Sequence, residues 1–338
     1  MSRVVRFGAG ALADLGDVAA ELGLERLLLV TSRRGANAAG DLAVEAVFDG
    51  VRTHVPVETV QAAAMLVREH EVDGLVGLGG GSAIDTCKAV TAELLGDREL
   101  RTIAVPTTYA GAEWTSFYGM LLSPGHKGGG SAERTKPAAA IYDPILTLSL
   151  PVGDTVGTAM NALAHCAEAY YTLGQTDRGD RHADTGATAI AYGLPLVVER
   201  PDWLYARTRL LEGSFRAALA LEEAGLALGH AMAQALGGRY GLPQGAMNAL
   251  CLPAALRFNQ PAVPEAVARF GRAIRADEPA ERVRELARLG GFVRLRDFGV
   301  PGAELGEAAG AIVQRPGAKR NPRPASAEDV EELLRSIW

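Results

Sequence analysis

Three features follow one another in the stretch Gly74-Leu-Val-Gly-Leu-Gly-Gly-Gly-Ser-Ala-Ile-Asp-Thr86: an apolar run, a glycine triplet and the beginning of a helix. The apolar run predicts a strand that is buried on both faces, as in a parallel sheet. Ser82 is predicted to cap the helix that follows, with Asp85 at the third helical position. The stretch therefore predicts a strand–turn–helix unit of an α/β fold.

Alternating strand and helix patterns surround this unit. Apolar runs predict strands at residues 3–7, 26–31, 51–55, 101–105 and 137–143. Apolar residues at helical spacing predict helices at residues 12–22, 38–48 and 59–70. This alternation indicates a doubly wound α/β domain, in which helices cover both faces of a mostly parallel sheet.

The glycine triplet is a candidate anion site. Glycines let the backbone approach a ligand closely, and the unpaired N–H groups of a helix N-terminus attract negative charge. Pyrophosphate is the expected anion. The pattern is not G-x-G-x-x-G, because the sixth position counted from Gly77 is Ser82. It is not a P-loop either, because Lys88 is misplaced for that motif. A tight turn without a ligand is the alternative.

A polar loop, Pro106-Thr-Thr-Tyr-Ala-Gly-Ala-Glu-Trp-Thr115, follows the strand at 101–105. Ligands of open α/β sheets bind at the carboxyl ends of the strands, so this loop and the glycine turn should open onto the same edge. Its hydroxyl groups could hold a ribose or a carboxamide, although a simple connecting turn would look similar. The glycine-rich residues 123–136 predict a hairpin or a loop.

The composition changes near residues 151–154, after which helical patterns run to the C-terminus. We therefore predict two domains, 1–152 and 153–338, with the active cleft between them. In the second domain Asn161 and His165 are four residues apart on one helix face, with Glu168 near enough to orient a ring. Together with His230 and Gln244, they look like a metal site whose anionic ligand is replaced by an amide.

The bulk composition excludes several classes of protein. The chain has 338 residues, 48% of them hydrophobic, and a net charge of −6, which argues against a nucleic-acid binder. The sequence contains no apolar run of about 18 residues, so no membrane span is expected. The N-terminus has no signal-peptide pattern. Cys87, Cys166 and Cys251 are far apart, and buried free thiols are expected. A cytoplasmic location is expected.

Several motifs together resemble the iron-type alcohol dehydrogenase superfamily, and within it most closely the maleylacetate reductases. They are Leu78-Gly-Gly-Gly-Ser-Ala-Ile-Asp85, Pro106-Thr-Thr-Tyr-Ala-Gly-Ala-Glu-Trp-Thr115, Ile141-Tyr-Asp-Pro144, Met160-Asn-Ala-Leu-Ala-His165 and Asn321-Pro-Arg-Pro324. The resemblance implies a dehydroquinate-synthase-like fold, with an NAD(P)-binding α/β domain before an all-helical domain. It also implies hydride transfer to or from a nicotinamide.

The resemblance assigns cofactor contacts by position. Gly79, Gly80, Gly81 and Ser82 would cradle the pyrophosphate, and Asp85 would hold that loop. The residues expected to contact the nicotinamide end are Thr107, Thr108 and Thr115. Lys127 is a weaker candidate for a contact to ribose or phosphate. NADH or NADPH is expected, since the segment after Val30 lacks the acidic residue that selects NAD, while Arg33 or Arg34 could accept a 2′-phosphate.

Metal-dependent members of this superfamily use one Asp and three His ligands. The matching residues here are Asn161, His165, His230 and Gln244, and a further frequent His matches Gln234. The segment 244–254, where maleylacetate reductases tend to have histidines, contains none. Two neutral imidazoles and two amides bind Fe²⁺ or Zn²⁺ poorly, so no metal is expected. A protonated His165 or His230 would then supply charge and a proton.

Three hypotheses remain open. The first is a metal-independent NAD(P)H-dependent reductase of a keto or enoyl acid, as in the reduction of maleylacetate to 3-oxoadipate. The second is a divergent biosynthetic member that acts on another carbonyl or carries out elimination or cyclisation. The third is a nucleotide-binding protein without catalysis. A small, anionic substrate and a homodimer are expected, and neither a nucleic-acid nor a membrane partner.

Overall fold

The computed structural model describes residues 3–40, 42–123 and 126–338; within them, the side chains of Ala38, His126 and Lys127 are not described. The chain separates into two compact units, Met1–Ser149 and Leu150–Trp338. None of the described helices is long and apolar enough to cross a membrane.

The first unit alternates strands and helices. Its strands are β1 Val4–Phe7, β2 Leu27–Val30, β3 Ala46–Phe48, β4 Gly74–Gly79, β5 Arg101–Pro106, β6 Phe117–Ser123, β7 His126–Ser131 and β8 Ala139–Tyr142. Its helices are α1 Leu15–Glu21, α2 Arg33–Ala39, α3 Val57–Glu69 and α4 Gly81–Glu93. Six strands form a parallel sheet in the order β1-β8-β5-β4-β2-β3, which confirms the predicted α/β domain.

Both faces of this sheet are covered. Leu28 and Leu75 belong to the cluster that packs against α3 and α4. Leu29 and Val76, the next residues along the same strands, belong to the cluster on the α1 side. Successive side chains of a strand point to opposite faces, so an apolar run without alternation is what a doubly covered strand requires. Each fully buried side chain of this kind contributes about 1.5–3 kcal/mol.

Two predictions between β2 and α3 are wrong. The predicted helix at 38–48 is replaced by α2, which Ser32 caps by accepting a hydrogen bond from the Gly35 N–H at 3.3 Å, and by the strand β3. β3 pairs with β2 in parallel register, so sheet pairing overrides its weak helical spacing. The predicted strand at 51–55 is a turn instead, with φ of 66° at His54 and 51° at Val55.

A separate antiparallel hairpin is formed by β6 and β7. It agrees with the predicted hairpin of the glycine-rich segment, of which Pro124 and Gly125 lie outside the described residues. The three cysteines are buried and free, as expected.

The second unit is helical, as predicted. Its helices are α5 Val152–Ala169, α6 Asp177–Glu199, α7 Leu204–Ala224, α8 Leu228–Tyr240, α9 Gln244–Asn259, α10 Pro264–Ala273, α11 Pro279–Arg288, α12 Leu305–Ile312, α13 Pro316–Lys319 and α14 Ala327–Ser336. The central helix α5 packs against α6, α7 and α9. A Cβ atom on Gly245 would overlap the carbonyl group of Gly157, so glycines let α5 and α9 approach closely.

Candidate functional site

The glycine turn lies where β4 passes into α4. Gly79 has φ of +153°, which side-chain-bearing residues rarely adopt, and a Cβ there would lie 2.9 Å from the Cβ of Ala83. The first backbone N–H groups of a helix have no partners inside it, so the beginning of α4 is a candidate anion site. Gly80 occupies the cap position and no side chain caps the helix. The predicted Ser82 cap is therefore wrong, because the helix begins at Gly81.

The loop after β5 lies directly beside this turn. Gly79 pairs with Pro106, and the backbone N–H of Thr107 donates to the Gly79 carbonyl at 2.9 Å. A Cβ on Gly80 would meet the side chain of Thr108 at 3.0 Å. The structure therefore brings the glycine turn and the half-buried Thr107 and Thr108 together at one edge of the sheet. A pyrophosphate at the helix N-terminus with a sugar or amide near the threonines fits this cradle.

Thr115 is buried, and Asp85 is half-buried near the beginning of α4. Lys88, which is completely buried, donates from Nζ to Asp85 at 3.2 Å and to Thr115 at 3.0 Å. Asp85 also accepts a hydrogen bond from the Gly119 N–H at 3.3 Å, so it links α4 to the hairpin β6–β7. This geometry does not support the expected cofactor contact of Thr115. Lys88, for which we predicted no role, joins α4 to the segment that contains Thr115.

Glu113 and Trp114 are buried packing residues. Trp114 donates from Nε1 to the hydroxyl of Tyr142, which donates to Glu113, both at 2.7 Å. Burial raises the pKa of the Glu113 carboxyl, and burial followed by the charge of Glu113 raises the pKa of Tyr142. This network holds the loop after β5 against β8.

The remaining cofactor candidates of the first unit are Lys127 and two arginines, Arg33 and Arg34. Lys127 lies in β7, but its side chain is outside the described part of the chain. Arg33 and Arg34 are exposed in the first turn of α2, and Arg34 donates to the carbonyl of Ser149. Of these two arginines, Arg33 is therefore the better candidate for a 2′-phosphate contact.

Two imidazole rings are stacked in the second unit. The rings of His165 on α5 and His230 on α8 have centroids 4.7 Å apart and are inclined by 10°. Both residues are at most 3% exposed. The carboxylate of Glu168 accepts hydrogen bonds from Nδ1 of His230 at 2.8 Å and from the backbone N–H groups of Ala227 at 2.6 Å and His230 at 3.0 Å. Glu168 thus orients His230, and not His165 as its position on α5 suggested.

Amide side chains complete the cluster. Nδ2 of Asn161 lies 3.4 Å from Nε2 of His165. Oδ1 of Asn161 accepts a hydrogen bond from Nδ2 of Asn248 on α9. Gln244 stands one helical turn before Asn248, on the same face of α9. We did not predict Asn248. Its spacing of four from Gln244 is the sequence signal that points to it.

The electrostatics of the pocket keep most of its groups neutral. Burial, and then the charge of His230, lower the pKa of His165 well below its usual value. His165 is therefore neutral at neutral pH, which favours His230 of the two imidazoles as the source of charge. Burial also raises the pKa of Tyr171 and of Cys251, and both stay protonated.

The donor set does not fit a catalytic metal. Within residues 3–40, 42–123 and 126–338, no three His, Cys, Asp or Glu residues are placed to hold an ion. The carboxylate of Glu168 already accepts hydrogen bonds from Nδ1 of His230 and from two backbone N–H groups. The remaining donors are imidazoles and amides, and amide oxygens are weak ligands for Fe²⁺ or Zn²⁺.

The neutral His165 predicts a loss of stability in acid. A group whose pKa is lowered by folding contributes stability that is present above its unfolded value of 6.5 and is lost as the pH falls toward the folded value. We expect the melting temperature of the metal-free protein to fall between pH 7.5 and 5.5, and to fall less in His165→Gln. Calorimetry at both values measures this, and an equal fall in the two proteins would contradict it.

The whole chain matches known families. A model of iron-containing alcohol dehydrogenases matches residues 2–144, and a model of the C-terminal part of the Fe-containing alcohol dehydrogenase family matches residues 155–338. Maleylacetate reductase from Sphingobium indicum is 36% identical over 98% of this chain and 94% of that protein.

Solved structures agree with this assignment. A putative alcohol dehydrogenase from Ralstonia eutropha JMP134 superposes with a TM-score of 0.94 and 35% identity, over 100% of this chain and 96% of the other. Sulfoacetaldehyde reductase from Bifidobacterium kashiwanohense, solved in complex with NAD+, has a TM-score of 0.90 and 26% identity, over 99% of this chain and 97% of the other. The chain is therefore an oxidoreductase that belongs to the iron-containing alcohol dehydrogenase family.

Proposed function

We propose that the chain is a metal-independent, NAD(P)H-dependent reductase of a small keto or enoyl acid, similar to maleylacetate reductase. The observation that supports it best is that Asn161 stands where metal-dependent relatives, by the resemblance, have their Asp ligand, and that it lies beside His165, whose ring is stacked on His230. A pocket with this donor set can bind and protonate a substrate oxygen, but it holds a divalent cation poorly.

The cofactor would be held by the first unit. The backbone N–H groups at Gly80, Gly81 and Ser82 would bind the pyrophosphate, and Thr107 and Thr108 would contact its neighbouring sugar or carboxamide. When bound, a reduced nicotinamide supplies the hydride. Because Arg33 is exposed beside the end of β2, we propose that NADPH is accepted as well as NADH.

The second unit would supply hydrogen bonds and the proton. His230 donates from Nδ1 to Glu168, and its Nε2 is buried with no partner among the described residues. An imidazole held in this way can carry a proton on Nε2 and deliver it to a developing alkoxide or enolate, while Glu168 offsets the positive charge. His165, neutral and stacked on His230, shields the ring from water.

The test is a titration followed by a substrate screen. NADH and NADPH are titrated by fluorescence, and keto and enoyl acids, with maleylacetate first, are then screened by the loss of absorbance of the reduced nicotinamide. Turnover of maleylacetate supports the proposal. Turnover confined to an unrelated carbonyl, or a non-redox reaction, would favour a divergent biosynthetic enzyme. Nicotinamide binding without any turnover would favour a protein without catalysis. The anionic substrate and the homodimer stay predictions.

Removal of metal is expected to leave the activity unchanged. Dialysis against EDTA should alter kcat by less than about twofold, because the amides of Asn161 and Gln244 leave the pocket without an anionic ligand. Metal content is measured by mass spectrometry in the same samples as kcat. A loss of activity that Fe²⁺ or Zn²⁺ restores would contradict the proposal, and a zinc-dependent dehydrogenase treated in parallel verifies the dialysis.

A further inference from the structure

Two asparagines of α9 are buried, and their amides differ in how they are bonded. Asn259 exchanges two hydrogen bonds with Asn321, at 3.0 and 2.7 Å. Asn248 donates from Nδ2 to Asn161, but its Oδ1 has no partner in the part of the chain that the structure describes. Asn248 is only 1% exposed. Because buried polar atoms are nearly always bonded, the free Oδ1 of Asn248 needs an explanation.

The neighbours of Asn248 have free polar atoms too. Within the described residues, buried atoms without a partner occur at His165 Nδ1, His230 Nε2 and Gln244 Nε2. Asn161 joins Asn248 to His165, and His165 stacks on His230. His165, His230 and Asn248, which these contacts link across α5, α8 and α9, each carry an unpaired atom, and this indicates a polar ligand and not a single packing defect.

The chemistry of the free atoms restricts the ligand. A carboxylate or a carbonyl has acceptors only, so neither can satisfy the Oδ1 of Asn248. A hydroxyl group can donate to this oxygen and at the same time accept from the Gln244 amide or from an imidazole N–H. The pocket therefore matches an alcohol oxygen better than the oxygens of a carboxylate.

We propose that Asn248 is a substrate-binding residue, whose Oδ1 accepts a hydrogen bond from the hydroxyl group of a hydroxy acid that the enzyme interconverts with its keto acid. This inference rests on the proposed function and concerns the keto acids among its proposed substrates. When bound, a reduced nicotinamide would supply a hydride to the carbonyl carbon and would itself be oxidised. The carbonyl oxygen would take its proton from Nε2 of His230 and become the hydroxyl that Asn248 binds.

A binding experiment tests this without turnover. The melting temperature of the wild-type chain is measured with malate and with succinate, which lacks only the hydroxyl, and with 3-hydroxybutyrate and butyrate. We expect the hydroxy acid of a pair to raise the melting temperature by at least about 2 °C more than its partner at the same concentration, since stabilisation by a ligand grows with the logarithm of its concentration divided by Kd. Equal shifts, or no shift with either hydroxy acid, overturn the proposal.

Matched variants on one helix separate binding from structure. Asn248→Leu is expected to abolish the difference between hydroxy acid and control, and to melt within about 2 °C of the wild-type chain, because it removes one bond together with one unpaired atom. Asn259→Leu removes both hydrogen bonds between Asn259 and Asn321, so it should melt about 4 °C lower or more but keep the difference. If Asn248→Leu loses as much stability as Asn259→Leu and keeps the difference, Asn248 is a structural amide.

Kinetics give a third measurement. On a keto acid that the wild-type chain reduces, Asn248→Leu should lower kcat/KM at least about tenfold, as expected for one lost hydrogen bond, with an unchanged Kd for NADH. An enoyl acid should be affected less than about twofold, because its reduction forms no hydroxyl at this oxygen. A wild-type chain that binds hydroxy acids but reduces nothing would refute the reductase and leave the binding role of Asn248 standing.

Discussion

A Gly81→Val variant is expected to bind NADH at least about 30-fold more weakly than the wild-type chain, a loss of about 2 kcal/mol. A Cβ on Gly81 would lie 3.7 and 3.9 Å from the Cβ atoms of Ala110 and Ala112, which are ordinary contact distances, so the Cβ itself causes no clash. Its two methyl groups would occupy the space between the first turn of α4 and the loop after β5. That space is where a pyrophosphate must approach the backbone N–H groups.

Fluorescence titration with NADH measures this loss, and Gly153→Val is the matched control. Gly153 also lies in the first turn of a helix, α5, and a Cβ there would meet nothing within 4 Å. The control should bind NADH with the wild-type Kd. If Gly81→Val does so as well, the glycine triplet is only a tight turn, and the cofactor assignment of the first unit is refuted.

Local signals explain why much of the fold could be predicted. The strand β4, the glycine turn and α4 are contiguous, and a doubly buried strand needs only its own apolar run to be recognised. The error at 38–48 has the opposite cause. β3 is three residues long and exists because it pairs with β2, so no pattern inside it could reveal a strand.

The candidate site divides in the same way. Asn161 and His165 stand one turn apart on one helix, and their contact follows from helical spacing alone. Glu168 was also found by spacing, but its partner His230 is 62 residues away, and only the packing of α8 against α5 selects it over His165. The bond between Asn161 and Asn248 spans 87 residues and depends on the glycine contact between α5 and α9. Patterns along the chain do not contain such pairings.

Glu168→Gln is expected to lower kcat by about 100-fold, because orienting and general-acid contributions of this kind are worth about 10²–10⁴ in rate. The carboxylate is completely buried and accepts three N–H donors, two of them from His230. An amide would place its own N–H groups against one of these donors and remove the negative charge that faces the His230 ring. Breaking a buried, hydrogen-bonded charge in this way costs about 3–5 kcal/mol.

The variant should therefore also melt at a lower temperature, and kcat is measured where circular dichroism shows it to be folded. Glu199→Gln, at the exposed end of α6, is the control and should change neither quantity. A wild-type kcat in Glu168→Gln would remove Glu168 from the mechanism.

A double variant shows whether Glu168 acts through His230. If it does, Glu168→Gln combined with His230→Gln should lose no more kcat than His230→Gln alone, since the second change removes an interaction already lost. The stability losses should still be partly additive, because Glu168 also binds the Ala227 N–H, which the change at His230 leaves in place. Additive losses in kcat would mean that Glu168 contributes by a route other than the ring of His230, and its assignment as a positioning residue would fail.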